Sequence, residues 1–145
     1  MIRGIIMTHG HVGEELITAA EAIGGPISEL IAVPLLFEDS PLSYEEKVRK
    51  VLTEENGIDE KESYVFLTDI FGGTPCNVAL SLMRSYNSCV VTGVNLAMIL
   101  EFALDREEKD DWKALGNQLA ETVKKTTQVI ENANISDLKE DEEEL

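Results

Sequence analysis

The chain has 145 residues, about the size of one compact domain, so we do not expect two. Its 12 basic and 28 acidic side chains leave a formal net charge of −16, which argues against nucleic acid or an anionic membrane surface as the main partner, because both require a basic footprint. Hydrophobic residues make up 43% of the chain, enough to build a core, so the acidity does not indicate wholesale disorder.

The first half of the chain alternates short apolar runs with amphipathic segments. Residues 2–7 predict a buried strand and residues 30–35 predict a second one. Between them, residues 13–23 predict a helix whose inner face carries Leu16, Ile17, Ala20 and Ile23. Ser43 and Glu46 match a capping box, which predicts a helix start there, and this helix is expected to run to about residue 56.

The second half repeats the alternation. Strands are predicted at residues 63–68 and 88–92, and a helix is predicted at residues 96–105. The helix after Pro75 is expected to bury Val78, Ala79, Leu82 and Met83. A long helix over residues 110–132 places Trp112, Leu115, Leu119, Val123 and Ile130 on one side.

Strands alternating with helices indicate an α/β fold, a mainly parallel sheet with helices on both faces. Right-handed crossovers restrict it to a doubly wound sheet, for which we expect the strand order 2-1-3-4 and leave room for an extra edge strand. We assign the domain to residues 1–132. Residues 133–145 are interpreted as an acidic, mobile tail, since residues 137–145 hold six acids and one lysine.

The sequence shows neither a recognisable targeting signal nor a cysteine motif, which favours an ordinary intracellular protein. The first apolar run is too short for a signal peptide, and no segment approaches the roughly 18 to 20 apolar residues of a membrane helix, so we expect a cytoplasmic protein without membrane insertion. Cys76 and Cys89 match neither a redox pair nor a zinc half-site, and we expect both to be reduced.

Three loops are the candidate sites, because reacting groups in open parallel sheets gather beyond the carboxyl ends of the strands. They are residues 8–13, 69–75 and 93–95, and they hold both histidines of the chain, His9 and His11. In the order 2-1-3-4, strands 1 and 3 are neighbours, so we expect His9 to face Asp69 across one crevice. The carboxylate can hold one ring nitrogen and leave the other as a nucleophile or base.

Simpler interpretations exist for several of these residues. A lone loop histidine is commonly structural or merely exposed, and Thr74 before Pro75 fits an ordinary N-cap, a role that can coexist with one in the site. His9 and His11 suggest a metal pair, but no third ligand is nearby, so we predict no metal. The chain has no Walker-type loop, no GxGxxG after the first strand and no GxSxG elbow, which argues against nucleotide binding and Ser/His/Asp hydrolysis.

Three motifs together resemble a known family. They are Thr8-His9-Gly10 after the first strand, the segment Asp69-Ile70-Phe71-Gly72-Gly73-Thr74-Pro75 followed by Asn77, and Gly93-Val94-Asn95. In order and spacing they are similar to the mannose-type enzyme IIA (EIIA) domain of the bacterial phosphoenolpyruvate:sugar phosphotransferase system, the mannose/fructose/sorbose family. Phe71 stands where some members carry Trp, and His11 and the acidic tail have no counterpart in the family's motif.

The resemblance implies a doubly wound fold and a phosphocarrier activity. His9 would accept a phosphoryl group from phospho-HPr as a tele-phosphohistidine and pass it to an EIIB domain, serving the membrane components EIIC and EIID indirectly. Asp69 would orient and charge the His9 ring. Residues implied to bind the phosphoryl group or shape the pocket are Thr8, Gly10, Gly72, Gly73, Thr74 and Asn95. The step would need no cofactor and no metal, and family members are commonly homodimers.

Two other functions remain open at this point. A regulatory or orphan EIIA-like subunit, whose phosphorylation state controls a partner protein, would carry the same site residues. A flavodoxin-like binding domain is less favoured, because no Ser/Thr-rich phosphate loop follows the first strand and His9 lies there instead.

Overall fold

The computed structural model describes residues 1–56, 62–106, 111–132 and 135–136. Four parallel strands form one sheet in the order β2-β1-β3-β4, and the α/β class and this order were both predicted. The strands are β1 (Ile2–His9), β2 (Leu30–Leu35), β3 (Ser63–Thr68) and β4 (Asn87–Thr92). The helices are α1 (Val12–Gly24), α2 (Pro41–Asn56), α3 (Thr74–Leu82), α4 (Leu96–Asp105) and α5 (Trp112–Thr126). No further edge strand occurs in the described parts of the chain.

The sheet separates two apolar cores. Alternate residues of β1 and β3 face opposite sides, so Ile6 and Leu67 pack under α1, α4 and α5 while Met7 and Phe66 pack under α2 and α3. Both central strands are therefore buried on both faces, which explains why their sequences are continuous apolar runs. Because β1 and β3 are adjacent, the loops that follow them meet at the carboxyl edge of the sheet.

Several predicted inward-facing residues lie at the surface. Ile23, Met83 and Ile130 are exposed, and the α5 helix ends at Thr126 because Thr127 adopts an extended conformation with φ −85° and ψ 114°. The helical spacing of apolar residues therefore continues past the point where a packing surface ends. The predicted strand at residues 2–7 was also too short, since β1 continues through His9 and pairs it with Leu35.

The N-terminus of α2 corrects a further prediction. Ser43 lies inside the helix, and the reciprocal hydrogen bonds join it to Ser40: the Ser40 N–H donates to Ser43 Oγ at 2.9 Å, and the Ser43 N–H donates to Ser40 Oγ at 3.0 Å. Ser40 is thus the cap and Pro41 the first helical residue, a favoured position for proline. The capping box is formed by Ser40 and Ser43, so the prediction of Ser43 with Glu46 was wrong.

Two predictions fall largely outside the described residues. Of the acidic segment at residues 133–145, the structure describes only residues 135–136. The expected helix start at residue 110 also lies outside the described residues. The domain boundary at residue 132 and the mobile tail therefore stay predictions. Over the described ranges, no helix is long and apolar enough to cross a membrane. Both cysteines are free, as expected, and Cys76 is buried.

Candidate active site

His9 ends β1 at the carboxyl edge of the sheet. It continues the β1 face that carries Ile5 and Met7, the side covered by α2 and α3. Its side chain is 53% exposed, whereas the five residues before it are buried, so β1 passes from the core directly to an exposed imidazole. The backbone is held in place because the Gly10 N–H donates to the Leu35 carbonyl at 2.7 Å.

Asp69 binds His9 at two points. Asp69 Oδ2 accepts the His9 backbone N–H at 2.8 Å and lies 2.8 Å from the ring Nδ1. Asp69 Oδ1 accepts the Ile70 N–H at 2.9 Å. Partial burial by itself would raise the pKa of Asp69, but these hydrogen bonds outweigh it and hold the pKa below its usual range. The carboxylate is therefore charged at neutral pH, and Nδ1 is the ring nitrogen that donates to it.

Gly73 packs against the other edge of the imidazole. A Cβ placed on Gly73 would lie 2.9 Å from His9 Cε1 and 3.5 Å from Nε2. Only a residue without a side chain allows the start of α3 to approach the ring this closely. Asp69 at Nδ1 and Gly73 at Cε1 thus position a ring whose side chain is half exposed, and Asp69 does not contact Nε2.

Thr74 does not cap α3, which corrects the prediction made for it. The N-cap is Gly73, whose extended backbone (φ −84°, ψ 172°) starts the helix one residue earlier, and glycine has no side chain to accept from the first amides. Thr74 instead lines a cleft of about 360 Å³ between α2 and α3, together with Glu45 and Asn77. The uncapped amides of α3 begin directly beside the His9 ring.

The remaining loop residues shape the site without reaching the ring. The buried Thr8 hydroxyl accepts the Gly13 N–H at 3.0 Å and donates to the Gly10 carbonyl at 3.3 Å, which closes the loop after β1. Gly10 has φ +57° and Gly72 has φ +88°, backbone conformations that favour glycine.

Asn95 follows β4, a strand that pairs with β3 and not with β1. Its side chain caps α4 by accepting the Met98 N–H at 2.9 Å. Its loop joins β3 rather than β1, because the Val94 N–H donates to the Thr68 carbonyl. The structure therefore brings together His9, Asp69 and Gly73, and places Asn95 beyond β3.

Three residues near the site were not assigned a role from sequence. Tyr44 is fully buried and donates to the Val33 carbonyl at 2.6 Å; burial and the charges of Asp69 and Asp39 raise its pKa. Phe37 is fully exposed on the turn after β2. His11 Nδ1 lies 3.3 Å from Glu14 Oε1, an exposed pair in the first turn of α1. No sequence motif marks any of the three.

The chain matches one protein family over most of its length. The family model described as "PTS system fructose IIA component" matches residues 4–123. The chain belongs to this EIIA family. EIIA components are phosphotransferases that carry phosphoryl groups in the sugar phosphotransferase system, so this phosphocarrier activity is assigned to the chain.

Relatives of this EIIA chain include both single-domain and longer proteins. The PTS system fructose-specific EIIA component of Bacillus subtilis is 34% identical and covers 98% of this chain and 99% of its own length. The PTS system mannose-specific EIIAB component of Escherichia coli is 26% identical over 81% of this chain, which spans only 36% of that longer protein. The mannose/sorbose-specific IIA subunit from Enterococcus faecalis superposes with a TM-score of 0.79 at 29% identity, covering 89% of this chain and 94% of its own.

Proposed function

We propose that His9 is the residue of this EIIA component that carries the phosphoryl group, and that Nε2 is the atom that bonds phosphorus. The observation that supports this most strongly is the 2.8 Å contact of Nδ1 with Asp69 Oδ2. It occupies one ring nitrogen with a charged acceptor and leaves the electron pair of Nε2 available at the surface.

The reaction exchanges one phosphorus–nitrogen bond for another. The Nε2 electron pair attacks phosphorus on the donor's phosphohistidine, the donor P–N bond breaks, and its electron pair returns to the donor's ring nitrogen. His9 then carries a positively charged phosphoimidazole whose Nδ1 proton stays hydrogen-bonded to Asp69. The Asp69 charge stabilises this cation, so the carboxylate acts by orientation and by charge.

The phosphoryl oxygens need hydrogen-bond donors, and the first amides of α3 are well placed to supply them. They belong to α3, whose N-cap Gly73 packs against the His9 ring and has no side chain to accept from them, although Pro75 contributes no N–H. Helix N-termini bind anions through such amides and through the helix dipole. The Thr74 hydroxyl, in the first turn of the same helix, is a further donor.

The partners follow from family membership. We assign HPr as the donor and an EIIB domain as the acceptor, with the membrane components EIIC and EIID reached only through EIIB. We further propose that the protein acts in the cytoplasm as a homodimer, the form common in the family.

The test is phosphorylation with phosphoenolpyruvate, enzyme I and HPr, followed by intact mass measurement. The wild type should gain one phosphoryl group that is lost in acid, and His9→Ala should gain none. His11→Ala is the matched control and should be labelled like the wild type. An unlabelled wild type, or a label that persists in His9→Ala, would overturn the assignment.

A further inference from the structure

Two of the four phenylalanines lie in the cores and two lie at the surface beside the site. Phe66 and Phe102 are fully buried, whereas Phe37 is fully exposed and Phe71 is 78% exposed. Isolated exposed apolar residues are common, but exposed aromatic side chains are enriched at protein–protein interfaces. Their position relative to His9 therefore matters.

Strand order places the loops that carry the two exposed rings on opposite sides of the loop after β1, which follows His9. Phe37 follows β2 by two residues, and β2 pairs with β1 so that Leu35 lies beside His9. Phe71 follows Asp69 by two residues on the loop after β3, the other neighbour of β1. A protein that docks over His9 consequently lies above two loops that each carry an exposed phenylalanine.

The turn that carries Phe37 is held by a dense polar network. Asp39 Oδ2 accepts the Leu36 N–H at 2.9 Å and the Lys47 ammonium at 2.6 Å. Asp39 Oδ1 accepts the Ser43 hydroxyl at 3.1 Å, and Lys47 also donates to the Pro34 carbonyl at 3.0 Å. The turn is thus attached to β2 and to α2, so an exposed ring is presented from an ordered backbone. Such preorganisation lowers the entropy lost on docking.

We propose that Phe37 is an anchor for the protein that donates the phosphoryl group, docking beside Phe71 over His9. The inference rests on the proposed function and adds a residue to it. Acidic residues lie on the segments that follow β1 and β2: Glu38 follows Phe37, and Glu14 and Glu15 lie in the first turn of α1. The partner that complements this surface therefore has a basic, partly apolar face around its phosphohistidine.

The donor is the partner that depends most on such an anchor. In the E. coli relatives the matched region is part of a longer component named EIIAB, in which an acceptor joined to it would be held at high effective concentration. A donor arrives by diffusion in either arrangement. Its affinity for this chain has to come from side chains around His9, and aromatic side chains such as the exposed Phe37 ring are enriched at interfaces.

The experiment measures single-turnover transfer from phospho-HPr over a range of HPr concentrations. Phe37→Ala should raise the half-saturating HPr concentration by about tenfold and leave the rate at saturation unchanged, because Phe37 does not touch the reacting atoms. Leu104→Ala is the matched control. Leu104 is 71% exposed but lies in the last turn of α4, at the opposite end of the sheet, and its variant should behave like the wild type.

A second variant tests the network that presents the ring. Asp39→Ala should raise the half-saturating concentration by about threefold in the wild type and have no further effect in the Phe37→Ala background. Additive effects in the double variant would show that Asp39 does not act through Phe37 and would overturn this part of the proposal.

The outcomes separate this inference from the proposed function. Labelling of His9 with the same half-saturating concentration in Phe37→Ala as in the wild type would overturn the anchor and leave the carrier role intact. A change confined to transfer onward to EIIB would overturn the choice of the donor as occupant. A wild type without label on His9 would overturn both.

Discussion

At the residue scale, the central feature is one carboxylate oxygen that holds both the backbone and the ring of His9. The arrangement needs β1 to end at His9 and β3 to end next to Asp69, and the pairing of these strands provides it. In the proposed reaction, the same oxygen that positions the ring also carries the charge that stabilises phosphoimidazole. Removing that charge while keeping the shape of the side chain separates the two effects.

Asp69→Asn should slow phosphoryl transfer to His9 by about a hundredfold while the fold is retained. The amide can still contact Nδ1, but it supplies no negative charge and can stabilise the wrong tautomer. Single-turnover transfer from phospho-HPr measures the rate, and far-UV circular dichroism checks the fold. An unchanged rate would show that Asp69 has only a structural role.

Asp69 also makes the stability of the protein sensitive to acid. Its pKa is lower in the folded chain than in the unfolded chain, so its contribution is fully present above about pH 4 and is lost as the pH falls further. The free energy of unfolding should therefore fall less steeply from about pH 5 to about pH 3 in Asp69→Asn than in the wild type. Urea unfolding at a series of pH values measures this, and equal slopes would contradict it.

Gly73 offers a test of ring position without backbone strain. Its φ of −84° suits alanine, but the added Cβ would press on His9 Cε1 at 2.9 Å and displace the imidazole by a few tenths of an ångström. Gly73→Ala should reduce the transfer rate by about tenfold with little loss of stability. Gly24→Ala is the matched control, since its Cβ would meet only Leu100 at 3.9 Å. Equal rates in both variants would show that the ring does not depend on Gly73.

The expectation from the sequence that His9 faces Asp69 is confirmed by their contact, but the other contacts around the ring could not be predicted. The position of each residue at a strand end, together with the expected strand order, was sufficient to place the two opposite each other. The approach of Gly73 to the ring depends on the tilt of α3, and the ordered presentation of Phe37 depends on a lysine eight residues beyond Asp39. Neither feature produces a local pattern in the sequence.

At the element scale, the spacing of apolar residues does not predict where the helices begin and end. The strands are bounded by their own composition, and β2 and β3 were predicted with their observed ends. Helix ends depend on caps and on the surface available for packing. Ser40 caps α2 through a serine partner, whereas sequence matching selected Ser43 with Glu46 because glutamate is the usual partner.

The two possible caps of α2 can be distinguished by mutation. Ser40→Ala should lower the free energy of unfolding by about 1 kcal/mol, because the Ser43 amide loses its acceptor. Glu46→Gln should change it by less than about 0.5 kcal/mol, since Glu46 is an exposed residue inside the helix. Urea denaturation of both variants measures the difference, and a larger effect at Glu46 would restore the original capping prediction.

At the scale of the whole molecule, the charge of −16 acts on stability and on docking. An excess of like charge destabilises the compact state through self-repulsion, and dissolved salt screens it. The same acidity disfavours the long-range approach of a phosphoryl group, so amides, hydroxyls and partner contacts have to act at short range. In our proposals the site accordingly relies on the N-terminus of α3 and on aromatic anchors.

The melting temperature at neutral pH should rise by several degrees when the ionic strength increases from low values to about 0.15 M. Near pH 4.3, where the sequence carries no net charge, the same addition should have little effect. Differential scanning calorimetry in sodium chloride series at the two pH values provides the comparison. A melting temperature independent of salt at neutral pH would show that the acidic residues do not repel one another appreciably.

The proposed carrier role of His9 depends most directly on which ring nitrogen bonds phosphorus. Nitrogen-15 and phosphorus-31 NMR of the protein phosphorylated by HPr identifies the histidine and the ring atom together. The geometry predicts phosphorus on Nε2 of His9, with the Nδ1 proton retained in a hydrogen bond to Asp69. Phosphorus on Nδ1, or on His11, would contradict it.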